Sequence, residues 1–282
     1  MNAVDYINSF LKFGSKPGLE RISNLLKLLG NPEKDLKFIH VAGTNGKGST
    51  CCYISNILRA AGYKVGMFIS PYVLEFRERF QINGEMIPYD ELESITQMVK
   101  AAVDTLDDEM MVTEFELITA ISYIYFKQNK CDVVVLEVGL GGMYDSTNTI
   151  DTPCCSVITS ISFDHTAILG NTLSEIAAQK CGIIKQSGRC VSYPVQSDGA
   201  MSVIKSVARE KQNTLVVPDL NSLAVSDNGV FGSAVRYKGL DFSLRMAGKF
   251  QPYNAVVAIE AVKLCGLCIS DEQIREGLSN SV

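Results

Sequence analysis

Three glycines bracket a lysine in the run Gly43-Thr44-Asn45-Gly46-Lys47-Gly48-Ser49-Thr50. Such a loop suits phosphate. Glycines let the backbone approach an anion closely, and a helix opening directly after them would aim free N–H groups and its positive dipole end at the same point. Lys47 adds a mobile positive charge, and Ser49 or Thr50 can offer a hydroxyl to a magnesium ion. The strict Walker pattern, Gly-x4-Gly-Lys-Ser/Thr, is not met, because Val41 replaces its first glycine and Gly48 its hydroxyl. Three further residues could do chemistry. Glu137 closes the aliphatic run Val133-Val134-Val135-Leu136 and precedes Val138-Gly139-Leu140-Gly141-Gly142. A carboxylate at a strand end, beside a flexible turn, can hold the magnesium of a nucleotide. His165, one of two histidines, follows a predicted strand end, and neutral imidazole is a good metal ligand. Lys180, judged by its spacing alone, reads as a surface lysine.

The elements that must position these groups alternate in type. Residues 3–30 read as two helices broken at 14–18. Phe38–Ala42 is an apolar strand leading into the glycine loop and a helix to Ala61. A second strand, Lys64–Ile69, stops at Ser70-Pro71. Residues 72–84 mix aromatic and charged side chains without a period, and read as a loop lying over a site. Pro88 opens a helix to about Leu106, and the capping box Thr113-x-x-Glu116 opens another to Lys130. The aromatics of that helix, Phe115, Tyr123, Tyr125 and Phe126, read as packing. Strands are expected over 132–137 and 155–160, with Thr172-x-x-Glu175 capping the next helix. Beyond Arg189 come strand, helix (200–212) and strand. Residues 221–246 look like a small antiparallel sheet turning at Asp227-Asn228-Gly229 and Lys238-Gly239. An apolar helix follows Gly248, and Ser270-x-x-Gln273 caps a last one. The pattern predicts an α/β fold with a doubly wound, mostly parallel sheet flanked by helices. Such a sheet could gather Ser70, Glu137, His165 and Lys180 on one side.

The chain has 282 residues, 46% hydrophobic and 20% charged, an ordinary globular balance. The net charge of −5 and the lack of a basic cluster argue against a nucleic-acid partner. No apolar run is long enough to span a bilayer, and the N-terminus lacks a signal-peptide pattern. Nine scattered cysteines fit reduced thiols. A cytoplasmic monomer acting on small molecules is expected. Cys265-Gly266-Leu267-Cys268 lacks the partners of a zinc site.

The loop Gly-Thr-Asn-Gly-Lys-Gly-Ser resembles that of the folylpolyglutamate synthase and dihydrofolate synthase family, relatives of the Mur peptidoglycan ligases. Further motifs agree in order: Ser70-Pro71, the run from Glu137 to Gly142 with Asp145, Thr147 and Asn148, Asp164-His165, Lys180 with Gly182-Ile183-Ile184-Lys185, and Gln251 with Asn254. The resemblance implies ATP at 43–50, with Asn254 at the adenine. It implies Mg²⁺ held by Ser49, Ser70 and Glu137, and a second metal position served by His165 and a carbamylated Lys180. It also implies a folate pocket shaped by Pro71, Tyr72 and Arg79, with Asp145 in the pterin region. Departures from the family pattern are Tyr72 for histidine, Met143 for arginine, Gln179 for glutamate and Phe250 for histidine. The expected reaction joins L-glutamate to a folate or dihydropteroate carboxylate through an acyl phosphate. Polyglutamylation and dihydrofolate synthesis both stay open. So do another Mur-type amino-acid ligase and a non-catalytic nucleotide-binding module. Residues 1–282 are expected to form the central ATP-binding domain. The family's C-terminal α/β domain is expected to be absent, leaving this chain almost inactive alone.

Overall fold

In the strand Phe38–Ala42 (β1) the side chains alternate between two apolar cores: Ile39 and Val41 enter one, Phe38 and Ala42 the opposite side. That is the pattern of a strand covered by helices on both faces. The computed structural model describes residues 2–14, 16–227 and 229–281. After helices Ala3–Asn8 (α1) and Glu20–Leu28 (α2), β1 runs into helix Lys47–Ala60 (α3) and strand Val65–Phe68 (β2). The chain then forms Phe80–Ile82 (β3), Glu85–Met86 (β4), and helices Tyr89–Val103 (α4) and Glu114–Gln128 (α5). Next are Val133–Glu137 (β5), Cys155–Ile158 (β6), helices Thr166–Leu169 (α6) and Leu173–Lys180 (α7), and Arg189–Ser192 (β7). Helix Asp198–Glu210 (α8) leads to Thr214–Val216 (β8).

These strands make one sheet in the order β4-β3-β2-β5-β1-β6-β7-β8, with every pair from β2 to β8 parallel. The order reverses direction around β1, so the crevice beyond its C-terminal end is the expected place for a ligand. Helices α3, Gln251–Leu264 (α9) and Asp271–Ser279 (α10) cover one face, and the remaining helices the other. A separate three-stranded antiparallel sheet, Leu223–Asp227 (β9), Ser233–Tyr237 (β10) and Leu240–Leu244 (β11), packs against the α9 face. Lys238 and Gly239 take positive φ in its second turn, as expected; Asn228 of the first lies outside the described residues.

The capping boxes at Thr113, Thr172 and Ser270 form as their spacing predicts. The stretch 72–84 is a correction. It is only in part a loop, because Phe76–Arg79 make a 3₁₀ turn and Phe80–Ile82 pair antiparallel with β2. Phe80 is fully buried, so burial set its strand state where no alternation was visible. Among the described residues no helix is long and apolar enough to cross a membrane, and no group of three His, Cys, Asp or Glu comes together.

Candidate active site

The glycine loop closes β1 against the segment after β6. Thr44 and Asn45 N–H both donate to Ser160 O, at 2.8 and 3.2 Å. The Thr44 hydroxyl donates to Ser162 O and the Asn45 amide to Ser162 Oγ. These two residues therefore tie the loop down. The first helical bond of α3 runs from Thr50 N–H to Gly46 O. The N–H groups of Lys47, Gly48 and Ser49 thus have no acceptor within the helix, which is the anion-binding end of any helix. Gly46 stands at φ 79°, and a Cβ there would lie 2.6 Å from Asn254 Oδ1. A Cβ on Gly43 would lie 1.8 Å from Thr159 Oγ1. Gly43→Ala is therefore expected to destabilise the fold on the order of 3 kcal/mol, read as a shift in the urea midpoint. Thr159→Ala should recover part of that loss.

Glu137 has the side-chain parity of Val133 and Val135, so it emerges from β5 on the α3 side, under the loop. Its Oε2 accepts from Ser70 N–H at 3.0 Å, and its Oε1 lies 3.8 Å from Lys47 Nζ. Burial pushes its carboxyl up to about 7, against the pull of Lys47 and the Ser70 N–H. Lys47 Nζ also reaches Thr44 O at 3.4 Å. Lys180 is 3% exposed, which corrects the reading of it as a surface lysine. Its Nζ donates to Gly43 O at 2.8 Å. Burial, helped by the nearby Lys47 charge, lowers its ammonium to about 8.

A cavity of about 770 Å³ is lined by Lys47, Ser70 and Lys180, while Glu137 and Ser49 lie behind its lining. Gly43, Lys47, Ser70, Pro71, Arg79, Asp145, His165 and Lys180 line it, together with Asp164 and the turn 139–142. Phe115, Glu114, Thr113, Leu11 and Pro17 line it as well. Phe115, read as packing, is in fact part of the wall; Tyr123 and Phe126 are core. Tyr72 is outside the lining, with its ring against Phe76 and under the Arg79 guanidinium. Arg79 Nε is buried without a partner, and its Nη2 lies 3.8 Å from Glu114. The Thr50 hydroxyl is fully buried and has no hydrogen-bond partner among the described residues. Ser49 Oγ is the available hydroxyl, and accepts from Gln251 Nε2 at 3.3 Å. Asn254 is buried against Gly46 rather than spread on an open surface. His165 lies at the rim with φ 46° and Nε2 3.6 Å from Asp164.

The donor set fits magnesium accompanied by phosphates. That ion takes one or two carboxylates, a hydroxyl, phosphate oxygens and water, and Glu137 and Ser49 supply the protein's share. Lys180 as a plain amine does not fit a cation site, since its Nζ is itself a donor.

A family profile described as the Mur ligase middle domain matches residues 41–262. The dihydrofolate synthase/folylpolyglutamate synthase of Bacillus subtilis is 40% identical over 98% of this chain and 67% of its own length. The folylpolyglutamate synthase of Lacticaseibacillus casei is 37% identical over 99% of this chain and 68% of its own. The apo structure of the L. casei enzyme superposes over the whole chain with a TM-score of 0.93 at 35% identity, 72% of that structure being covered. A structure described as an FPGS-AMPPCP-folate complex gives 0.91 at 34%. With the phosphate loop, the buried acid and the fold all in agreement, the chain belongs to the Mur ligase family, in its folylpolyglutamate synthase and dihydrofolate synthase branch.

Proposed function

We propose that this chain binds ATP and Mg²⁺ and serves an ATP-dependent ligase that joins L-glutamate to the carboxylate of a folate or dihydropteroate. The observation that supports this most is one continuous cavity, charged at Lys47 and aromatic at Phe115. It has room for a phosphate chain and a heteroaromatic acid side by side. The relatives named for this activity, and the structure described with AMPPCP and folate, point the same way.

In this reading Lys47 and the N–H groups opening α3 hold the outer phosphates, and Asn254 lies towards the adenine. Glu137, Ser49 and Ser70 hold magnesium, which when bound supplies positive charge to the phosphates. An acceptor carboxylate oxygen attacks the γ-phosphorus and ADP leaves. The glutamate amine then attacks the acyl carbon, and phosphate departs with that carboxylate oxygen. The protein needs no covalent nucleophile. The ligation requires three reactants held in contact and water kept from the acyl phosphate. Arg79, Pro71 and Asp145 shape the acceptor end, and Tyr72 acts there only through its ring against Arg79. Lys180, whose ammonium is lowered to about 8, has an uncharged fraction of about one-tenth at neutral pH. That uncharged amine is the form that adds CO₂. Carbamylated, it would join His165 in serving a second metal position. We place the protein in the cytoplasm as a monomer.

Turnover with glutamate and ATP, measured across dihydropteroate, tetrahydrofolate and muropeptide acceptors, tests the proposal. Product is expected with the first two acceptors, at a rate from this chain alone far below that of a relative carrying both domains. Product with muropeptides alone would move the chain to another Mur branch.

A further inference from the structure

The turn 139–142 lines the cavity with three glycines, so it has few side chains of its own to fix its shape. Asp145 holds it instead. Asp145 Oδ2 accepts from Leu140 N–H at 2.7 Å, and Oδ1 accepts from Thr147 N–H at 3.0 Å and from the Thr147 hydroxyl at 2.5 Å. The Thr147 oxygen in turn lies 2.8 Å from His40 Nε2. Thr147 has one proton, already given to the carboxylate, so His40 must donate from Nε2. His40 Nδ1 is then bare, and it is buried with no partner. A fully buried histidine in a central strand, half satisfied, is a costly choice where an aliphatic residue would pack. Costs of this kind collect at functional sites.

We propose that His40 and Thr147 are positioning residues for the ligation. Acting through Asp145, they fix the turn that forms the acceptor wall beyond Glu137. His40 stands on β1 just ahead of Gly43, so the relay sets that wall in register with the strand that presents the nucleotide loop. On the other side, Met143 N–H donates to Gln179 O at 2.8 Å, which carries the same register to α7 and Lys180. Neither His40 nor Thr147 touches substrate in this scheme.

The inference rests on the ligase reading for its kinetic consequence, and on the structure alone for its local one. Its test therefore combines two kinds of measurement. Ring ¹⁵N shifts of His40 should report the Nε2–H tautomer. Thr147→Val, which keeps the shape and removes the relay, should speed amide exchange at Leu140 about tenfold. It should raise the acceptor KM by a similar factor while kcat and the KM for ATP stay within twofold. Thr147→Ser should restore both values. Unchanged Leu140 exchange in Thr147→Val, an Nδ1–H tautomer, or equal effects of Val and Ser would each overturn the relay. A wild-type protein lacking folate-dependent turnover would sink the ligase reading, while the tautomer and exchange results would still decide the relay.

Discussion

Lys47→Ala is expected to lower kcat/KM by about 10³-fold, about 4 kcal/mol of transition-state stabilisation. Lys47 stands at the helix opening with its Nζ 3.8 Å from the Glu137 carboxylate. The charge that builds on the transferring phosphoryl group has to be met there. Folding stability should move far less, because the lysine's contacts are a 3.4 Å bond to Thr44 O and that loose ion pair. Calorimetry with ATP and Mg²⁺ should show markedly weaker binding by the variant. Equal affinity would remove the loop from the mechanism.

Glu137→Gln should act on activity and stability in opposite directions. With burial holding its carboxyl near 7, folded Glu137 retains a proton that the unfolded chain releases near its ordinary value of 4.5. The folded state thus binds more protons between those values, and stability falls as pH rises through 4.5–7. Above pH 7 the buried anion costs at most about 3 kcal/mol in protein without nucleotide or metal. Glutamine removes that cost. The variant should therefore melt higher than wild type at pH 8, and the gap should close by pH 4.5. Activity should drop by about 10²-fold or more, since the carboxylate is the anion offered to the metal. Matching melting curves at pH 8 would show that Glu137 is not the strained acid described.

Much of this was legible in the residues. β1 and β5 read as unbroken aliphatic runs because both faces of a central parallel strand are covered, and the three capping boxes announced their helices through local hydrogen bonding. The glycine loop was legible because few other arrangements place Gly43, Gly46 and Gly48 around one lysine. What stayed hidden depended on distant contacts. Phe80 is a strand residue because β2 offers it an edge. Phe115 faces the cavity because its ring, at the start of α5, lies against Gly139 just after β5. Lys180 is buried because α7 packs its C-terminal end over the turn 139–142, which no local pattern records. His40 read as one more residue of a buried run, and only the Thr147–Asp145 chain gives it a purpose.

The central claim is that an acceptor carboxylate attacks ATP in this cavity. It is tested most directly by an isotope. Acceptor labelled with ¹⁸O in the reacting carboxylate should pass one ¹⁸O into inorganic phosphate for each amide bond formed, read by the ³¹P shift of the product. Phosphate carrying oxygen from solvent alone, alongside amide formation, would contradict an acyl phosphate and with it the account of this site.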